Sequence, residues 1–461
     1  MPAPAAAQTN SFINAGVQFE FPPPGARSLA LGGAFVAVAD DATASVANPA
    51  GLTLLVRPEV SVEGRFWNFS TLAPLRGRYS GTPTGVGYDT IQNIVEDKLD
   101  ETSNAVSFLS VVIPKNRFAF AGYRQVQSGY RASYSSDGIF IFDDQLVNTT
   151  PGQGQDRLDP YTATMSLDVV NYGFSAAYRF AGGLALGGGL AISDFSIEAL
   201  TNVFYLGLNP REIPPAQRSQ FTGAGLAYGP PDFSEAGRQG SVTESGDDTG
   251  VGVNFGFLYR PTKAKWAAGG SVRLGPRFDY DAEARWGPVV DRFPGPPVNG
   301  DPIDSDHVEF KVPDTYSFGL SYRPSDRLLF SGQYDRVQYS QLSENVQDVF
   351  ANVGQVLTET TQGLSNPDSN QVRFGTEYAV AIAPHVVSLR MGVAYVSDHK
   401  MHYTQVGSTR YPRLEVLYQP GEDQWHFTPG AGIAFPKFQI DGAFDFSDLS
   451  KTLSLSAVYR F

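Results

Sequence analysis

Apolar and polar residues alternate with a period of two along most of the chain after Pro58. The final segment is the clearest example, because Leu453, Leu455, Ala457 and Tyr459 fall on one face of an extended strand while serine and arginine residues fall on the other. Such alternation is typical of a half-buried β-strand. No helical period is sustained over a comparable length, so the sequence predicts an all-β protein.

Fourteen segments are candidate strands, and several exceed the roughly 5 to 6 residues that are usual in soluble domains. In chain order they are residues 59–69, 105–113, 118–134, 165–180, 184–204, 250–259, 265–286, 315–322, 328–342, 372–382, 386–405, 425–435, 437–446 and 451–461. An even number of long strands is typical of antiparallel barrels in bacterial outer membranes.

The connections between these segments alternate in length. Tight connections at 114–117, 181–183, 260–264, 323–327, 383–385 and 436 are separated by much longer ones, and only the last hairpin, at 447–450, breaks the rule. Short turns at one end and long loops at the other are the layout of an outer-membrane barrel. A soluble sandwich has no reason to sort its loops in this way.

A tyrosine followed by an arginine recurs at strand ends. The four instances are Tyr178-Arg179, Tyr259-Arg260, Tyr322-Arg323 and Tyr459-Arg460. Tyrosine at this position suits an aromatic girdle at a membrane interface, with arginine just outside the hydrocarbon. An ordinary hairpin rim is the alternative, but four equivalent positions favour the girdle.

Two of the long connections carry apolar residues three and four apart. The segments 91–99 and 346–357 are therefore predicted to form short amphipathic helices in exposed loops. The connection 205–249 is rich in proline and glycine, and we expect it to be irregular.

Composition excludes several other classes of protein. Among 461 residues, 47 are acidic and 34 basic, for a net charge of -13, which argues against a nucleic-acid partner because phosphate contacts need clustered lysine and arginine. The absence of cysteine excludes disulfide scaffolds and cysteine-based zinc sites. No apolar run is long enough for a transmembrane helix. The small residues ending at Ala7 are read as the possible tail of a trimmed secretory signal.

Residues before Pro58 do not have the alternation of barrel strands. The segment 27–39 is small, apolar and rich in glycine, and Asp40 and Asp41 can cap a short helix at 42–47. Asn48, Pro49, Ala50 and Gly51 follow, and then Leu52. This succession, at the start of a barrel-patterned chain, resembles the FadL/TodX family of outer-membrane transporters for long-chain fatty acids and other hydrophobic compounds.

The resemblance implies an architecture and a function. Residues 58–461 would form a 14-stranded antiparallel transmembrane β-barrel, and residues 1–57 a tail and a hatch with short helices inside it. The protein would be a monomer that takes up hydrophobic molecules such as fatty acids or detergent-like lipids passively and releases them sideways into outer-membrane lipid. The barrel assembly machinery would recognise the terminal Phe461. No cofactor and no catalysis are implied. A secretion-system shuttle that binds cargo proteins and a general porin for polar solutes remain as alternatives.

Candidate ligand contacts lie near the start of the hatch. Val17, Phe19 and Phe21 precede three prolines and are expected to project into the lumen, where they would contact ligand or anchor the hatch to the wall. Arg27 could hold a substrate carboxylate, although an ion pair with the wall is the safer interpretation for an arginine in a polar lumen.

Glycines in the third candidate strand suggest a lateral exit. Gly122 and Gly129 could permit a kink, since glycine weakens a strand and allows bulges, or they could merely fit the curvature of the wall.

Motifs for other chemistry are weak. No G-x-S-x-G elbow is present, so a lipase has no recognisable nucleophile. His399 and His402 form an H-x-x-H that would point to opposite faces of a strand, and we expect both to lie at a rim or surface rather than bind a metal. Asp301, Asp304 and Asp306 are spaced only loosely like calcium ligands.

Overall fold

A computed structural model describes residues 8–9, 18–79, 93–142, 155–158, 160–204, 231, 233–285, 302–343, 346–347, 363–405, 415 and 418–461. Its wall consists of antiparallel strands that follow one another in chain order. They are β1 (Glu59–Arg78), β2 (Asn93–Lys115), β3 (Phe118–Ser136), β4 (Tyr161–Arg179), β5 (Leu184–Phe204), β6 (Arg238–Tyr259), β7 (Trp266–Leu274 and Arg277–Arg285), β8 (Pro302–Lys311 and Thr315–Ser325), β9 (Leu328–Val337), β10 (Ser369–Ile382), β11 (His385–Val396), β12 (Gln424–Ala434), β13 (Phe438–Phe446) and β14 (Ser450–Arg460).

The sheet closes on itself between its first and last strands. β1 pairs with β14 in antiparallel register from Glu59 opposite Arg460 to Phe69 opposite Ser450. The amide of Phe461 donates to Pro58 O at 3.0 Å, so the chain end lies beside the start of β1. The predicted 14-stranded antiparallel barrel is confirmed.

Two neighbouring strands are interrupted at the same height. β7 breaks at Gly275 and Pro276, and β8 breaks between Lys311 and Thr315. Proline cannot donate to the ladder, which explains the break in β7. The part of β8 from Pro302 to Lys311 is missing from the predicted strands because its polar residues hide the alternation.

The prediction of helices in the long connections is wrong where the structure describes them. Residues 93–99 belong to β2 and pair with Thr71–Arg78 of β1, so the hairpin extends beyond the predicted strand ends. Val346–Gln347 is a short strand that pairs with Gln8–Thr9, and the remainder of 346–357 lies outside the described residues. Residues 238–249, expected to be irregular, are the outer half of β6. Cross-strand pairing, which spacing along the chain does not reveal, overrides the local helical pattern in the hairpin.

The outward face of the wall carries an apolar band. On β5, Leu186, Leu190 and Ile192 are among the large exposed hydrophobic residues, and the next outward positions, Asp194 and Ser196, are polar. Among the described residues, no helix is both long and apolar enough to cross a membrane.

The N-terminal segment 18–57 packs against the inner face of the wall. It contains helices α1 (Ala26–Ala30) and α2 (Ala44–Ala47) and a 3₁₀ helix at Pro49–Leu54. The predicted helix at 42–47 is therefore present but begins two residues later, with the Asp41 carboxylate accepting from Thr43 N at 2.9 Å. The Asn48 amide nitrogen donates to Val36 O at 2.7 Å and to Phe257 O of β6 at 2.9 Å.

Glycines of the wall let this segment approach closely. A methyl group at Gly392 of β11 would lie 2.1 Å from Gly32 N, and one at Gly269 of β7 would lie 2.4 Å from Val36 O. The same obstruction would arise at Gly187, Gly256, Gly375 and Gly430, on four further strands. The segment is thus fitted against much of the circumference of the barrel.

Candidate functional site

Arg27 fastens the N-terminal segment to the wall through carboxylates. Its Nε and Nη2 donate to the two oxygens of Glu377 at 2.9 and 3.2 Å, and its Nη1 pairs with Asp40. Arg390 donates to the same Glu377 at 2.6 Å and to Asp441 at 2.6 Å. This bidentate geometry, supported by a second arginine, makes a rigid ionic anchor between the segment and β10 to β13.

Other residues of the sequence motif also contact the wall or lie buried against it. Asp40 also accepts from Arg323 Nη2 at 3.3 Å, at the end with short turns. Asn48 bridges the segment to β6, and Pro49, Ala50 and Gly51 form the start of the buried 3₁₀ helix. Each motif residue therefore contributes to packing between segment and wall.

Aromatic rings fill the lumen above the segment. Phe19 contacts Tyr130 of β3 and Phe310 of β8, with ring centroids 5.6 and 5.9 Å apart, and Phe21 lies 6.5 Å from Phe19. Phe195 stacks on Phe310 and on Phe278. We call Phe19, Phe21, Tyr130, Phe195, Phe278 and Phe310 the aromatic cluster. It is part of a larger buried apolar core.

His399 holds the start of the described N-terminal segment. Its side chain is 1% exposed, its Nε2 lies 2.8 Å from Phe19 O, and its Nδ1 lies 3.2 Å from Gln18 Nε2. Tyr339 stacks on the imidazole with centroids 3.9 Å apart. Burial lowers the pKa of His399, so the neutral form predominates near pH 7. The prediction of a rim or surface position is wrong for His399, because β11 ends at Val396 and the following turn folds inward.

A cavity of about 100 Å³, lined by polar and apolar residues and called here the polar cavity for its two arginines, lies between the aromatic cluster and the helices of the segment. Arg273 of β7 lines it, and its Nη2 donates to Phe21 O at 3.4 Å and to Thr315 Oγ1 at 3.3 Å. Arg373 lines the same cavity and pairs with Asp335 at 2.7 Å. In the described part of the chain, Arg273 has no carboxylate ion pair and its buried Nε has no hydrogen-bond partner.

A second cavity, of about 30 Å³, adjoins the first at Arg273. Gln125 Oε1, Asn171 Oδ1 and Ser193 Oγ line it, and these buried atoms likewise lack partners within the described residues. Because buried polar atoms are normally hydrogen-bonded, this cluster is suited to a polar group that enters the lumen.

The wall is not continuously paired between β2 and β3. Their ladder runs from Lys115 opposite Phe118 to Phe108 opposite Gln125, and no further pairs join the described residues of these strands. Both strands carry an extra residue at this point: Ser107 in β2, against the register of β1, and Gln127 in β3, against that of β4. Each extra residue is a β-bulge that bends its strand, so the two strands diverge.

We call the opening above Phe108 and Gln125 the lateral gap, and the chain that follows β3 crosses to β1 at its outer end. The amide of Asp137 donates to Leu75 O of β1 at 2.7 Å, and Gly138–Phe142 pairs in parallel with Arg76–Arg78 on the edge of β1 opposite β2. Tyr130, at the lumen side of the gap, contacts Phe69 of β1 with centroids 5.1 Å apart. The gap thus lies in the wall directly beside the aromatic cluster.

Comparison with solved structures gives closely related architectures. The crystal structure of a Pseudomonas aeruginosa FadL homologue matches with TM-score 0.62 and 16% identity, over 96% of this chain and 100% of that one. The Ralstonia pickettii toluene transporter TbuX matches with TM-score 0.57 and 16% identity, over 96% and 100%. The P. putida toluene transporter TodX matches with TM-score 0.52 and 14% identity, over 96% and 99%.

The chain has the FadL/TodX fold. The predicted resemblance is thereby confirmed at the level of the fold. No protein-family model matches the sequence, and no curated protein matches it.

Within the FadL/TodX fold, the residues singled out in the sequence have distinct positions. Phe19 and Phe21 are buried in the aromatic cluster, Arg27 belongs to the ionic anchor, and Val17 lies outside the described residues. Gly122 lies in the regular part of the β2–β3 ladder, opposite Val111. Gly129 lies beside the lateral gap, just beyond the bulge at Gln127.

Sequence reasoning missed Arg273, Gln127 and His399. Polar residues at inward positions of a barrel are common, so nothing local distinguishes Arg273 from its neighbours. The bulge at Gln127 leaves a weak signal, since the inward positions of β3 change from odd to even numbers across it. Asp301 and the side chains of Asp304 and Asp306 lie outside the described residues, and the described residues contain no group of three potential metal ligands.

Proposed function

We propose that the chain is an outer-membrane transport protein for passive uptake of hydrophobic molecules, with long-chain fatty acids as its substrates. Residues 58–461 act as the transmembrane barrel and residues 1–57 as a tail and movable hatch. Substrate enters from the outer loops, binds in the lumen and leaves through the lateral gap into the membrane. The lateral gap is the observation that carries this proposal.

A sideways exit is favoured by the energetics of a hydrophobic substrate. Removing each CH2 group from water is worth about 0.8 kcal/mol, so a chain of sixteen carbons gains roughly 12 kcal/mol in an apolar site. Release from such a site into an aqueous channel would be slow. A path from the aromatic cluster to lipid avoids this step, because the chain moves from one apolar environment to another.

Two further observations support the substrate class. The proteins that share the fold include toluene transporters, and toluene is a hydrophobic compound. Arg273 offers a guanidinium without a carboxylate ion pair in the described part of the chain, directly below Phe21. A fatty acid could therefore place its chain among the aromatic rings and its carboxylate against Arg273.

The N-terminal segment supports a hatch because it occupies the lumen without covalent attachment to most of the wall. Its contacts with the wall are all noncovalent, and they include the ionic anchor at Glu377, the Asn48 bridge to β6, the Asp40–Arg323 pair, the hydrogen bond between His399 and Phe19 O, and close packing on the wall glycines. A shift of the helices against these glycines would connect the polar cavity with the short-turn end of the barrel.

The direct test compares uptake of radiolabelled oleate by cells that express the chain with uptake by cells that carry an empty vector. Conductance of the purified protein in planar bilayers is measured in parallel. The proposal is supported if oleate uptake is several-fold higher than in the empty-vector cells and the purified protein shows no stable ion conductance. A stable conductance with unchanged oleate uptake would contradict it and indicate a porin.

A further inference from the structure

An ion pair lies at the outward face of the lateral gap. Arg131 of β3 donates to the Asp168 carboxylate of β4 at 2.7 Å, and the two side chains are 39% and 36% exposed. Arg131 Nη1 also donates to Tyr130 O at 2.8 Å, which links the pair to the aromatic cluster. We call Arg131 and Asp168 the gap pair.

The gap pair borders the opening itself. Gly129, two residues before Arg131, faces β2 across the gap: a methyl group there would lie 3.7 Å from Ser103 Oγ and 3.6 Å from the Asp168 carboxylate. The side chains of Ser103, Arg131 and Asp168 therefore surround the position where β2 and β3 no longer pair.

The outward face of β4 gives the position of the gap pair relative to the apolar band. Phe174 and Tyr172 are large exposed hydrophobic residues on this face, and Asp168 lies on the same face four residues from Tyr172 toward the outer loops. The gap pair therefore lies beyond the outer edge of the apolar band on this strand, where the proposed orientation places the lipid headgroups.

An amphipathic acid that leaves through the gap cannot take its charged group into hydrocarbon, because burying a carboxylate without a partner is very costly. Its chain enters the apolar band while its carboxylate stops at headgroup level, where Arg131 lies. An exposed ion pair such as Arg131–Asp168 contributes little to stability. Replacing the Asp168 carboxylate by the substrate carboxylate on Arg131 therefore costs little free energy.

We propose that Arg131 binds the carboxylate of the departing substrate in exchange for Asp168, and so makes the lateral gap selective for amphipathic acids over neutral lipids. This inference rests on the proposed function. A hydrocarbon or an alcohol has no charged group with which to displace Asp168, and it passes without engaging Arg131.

The test measures uptake of labelled oleate and of labelled oleyl alcohol by cells that express Arg131→Gln, Arg131→Lys or the wild-type chain at equal outer-membrane levels. Loss of a charge-assisted hydrogen bond predicts an oleate uptake about tenfold lower in Arg131→Gln. Oleyl alcohol uptake should be unchanged, and Arg131→Lys should restore much of the oleate uptake.

Arg336→Gln is the matched control. Arg336 of β9, which is 41% exposed, pairs with the less exposed Asp368 at 2.9 Å, away from the gap. Its loss should leave uptake of both substrates unaffected. Equal loss of oleate and oleyl alcohol uptake in Arg131→Gln, no loss of either, or an equal effect of Arg336→Gln would overturn the inference. Absence of oleate uptake by the wild-type chain would instead refute the proposed function.

Discussion

Individual side chains of the lumen serve two purposes. Arg27 and Asn48 fasten the N-terminal segment through partners on the wall. Arg273 instead faces the two polar cavities, and its Nε is without a partner among the described residues. Because an unpaired buried donor costs stability, such a residue is expected where a ligand or water can satisfy it. Arg27 is therefore fully engaged in attachment, whereas Arg273, which also donates to Phe21 O, keeps a donor for the proposed ligand.

His399 makes the attachment of residues 18–21 dependent on pH. A carbonyl only accepts, so Nε2 donates to Phe19 O, while Nδ1 lies 3.2 Å from Gln18 Nε2 and 3.1 Å from Ser397 O. Burial lowers the pKa of His399 in the docked state, while Glu20, the hydrogen bonds to Ser397 O and Phe19 O, and Asp398 act in the opposite direction. Docking is therefore fully stabilised above the ordinary histidine pKa of about 6.5 and weakens as the pH falls below it.

Hydrogen exchange of the peptide that contains residues 18–21 measures this effect. Exchange in the wild-type chain should accelerate as the pH falls below about 6.5, after correction for the intrinsic rate. In His399→Gln it should be faster at pH 7 and free of this transition, whereas His402→Gln should behave as wild type. A transition that persists in His399→Gln would refute the role of His399.

At the scale of elements, the fit between the N-terminal segment and the wall depends on glycine. On β11, Gly392 leaves room for Gly32 N, which would lie only 2.1 Å from an added methyl group. At these glycines the inner face of the wall has no side chains, and the backbone of the N-terminal segment packs directly against the strands. Because a closely packed interior transmits small displacements rather than absorbing them, the N-terminal segment can occupy only a few positions against the wall.

Gly392→Ala should displace the segment and leave the barrel intact. We expect a loss of about 1–3 kcal/mol in stability, as in other overpacked sites, and an intermittent ion leak in planar bilayers. Gly332→Ala is the control, because the nearest atom to its added methyl group is 3.9 Å away. If Gly392→Ala unfolds at the same temperature as the control and conducts no more current, the close fit has no consequence.

The strands and turns could be predicted because their signals are local. The alternation predicts β5 with the ends that the structure shows, and the tight turns lie at the predicted positions. The lateral gap could not be predicted, since it depends on which strand β3 pairs with beyond Gln125. For the same reason residues 93–99 were expected to be helical although they extend β2. Arg273 is one polar residue among many inward ones, and only its lack of an ion pair distinguishes it.

At the scale of the whole molecule, the barrel combines a filled lumen with an incomplete wall. The N-terminal segment and the aromatic cluster fill the interior, while the ladder between β2 and β3 ends part-way up. A porin needs the opposite arrangement, an open lumen within a continuous wall. This combination is the arrangement that the proposed lateral release requires.

A reversible disulfide across the lateral gap tests this organisation most directly, and the chain contains no cysteine that would interfere. The variant Ser103→Cys with Gly129→Cys places the bond where a methyl group at Gly129 would be 3.7 Å from Ser103 Oγ. The control, Val111→Cys with Gly122→Cys, links the same strands where they already pair. Oxidation should abolish oleate uptake by the first variant only, and a reductant should restore it. Uptake at the wild-type rate through the oxidised, locked gap would contradict lateral release.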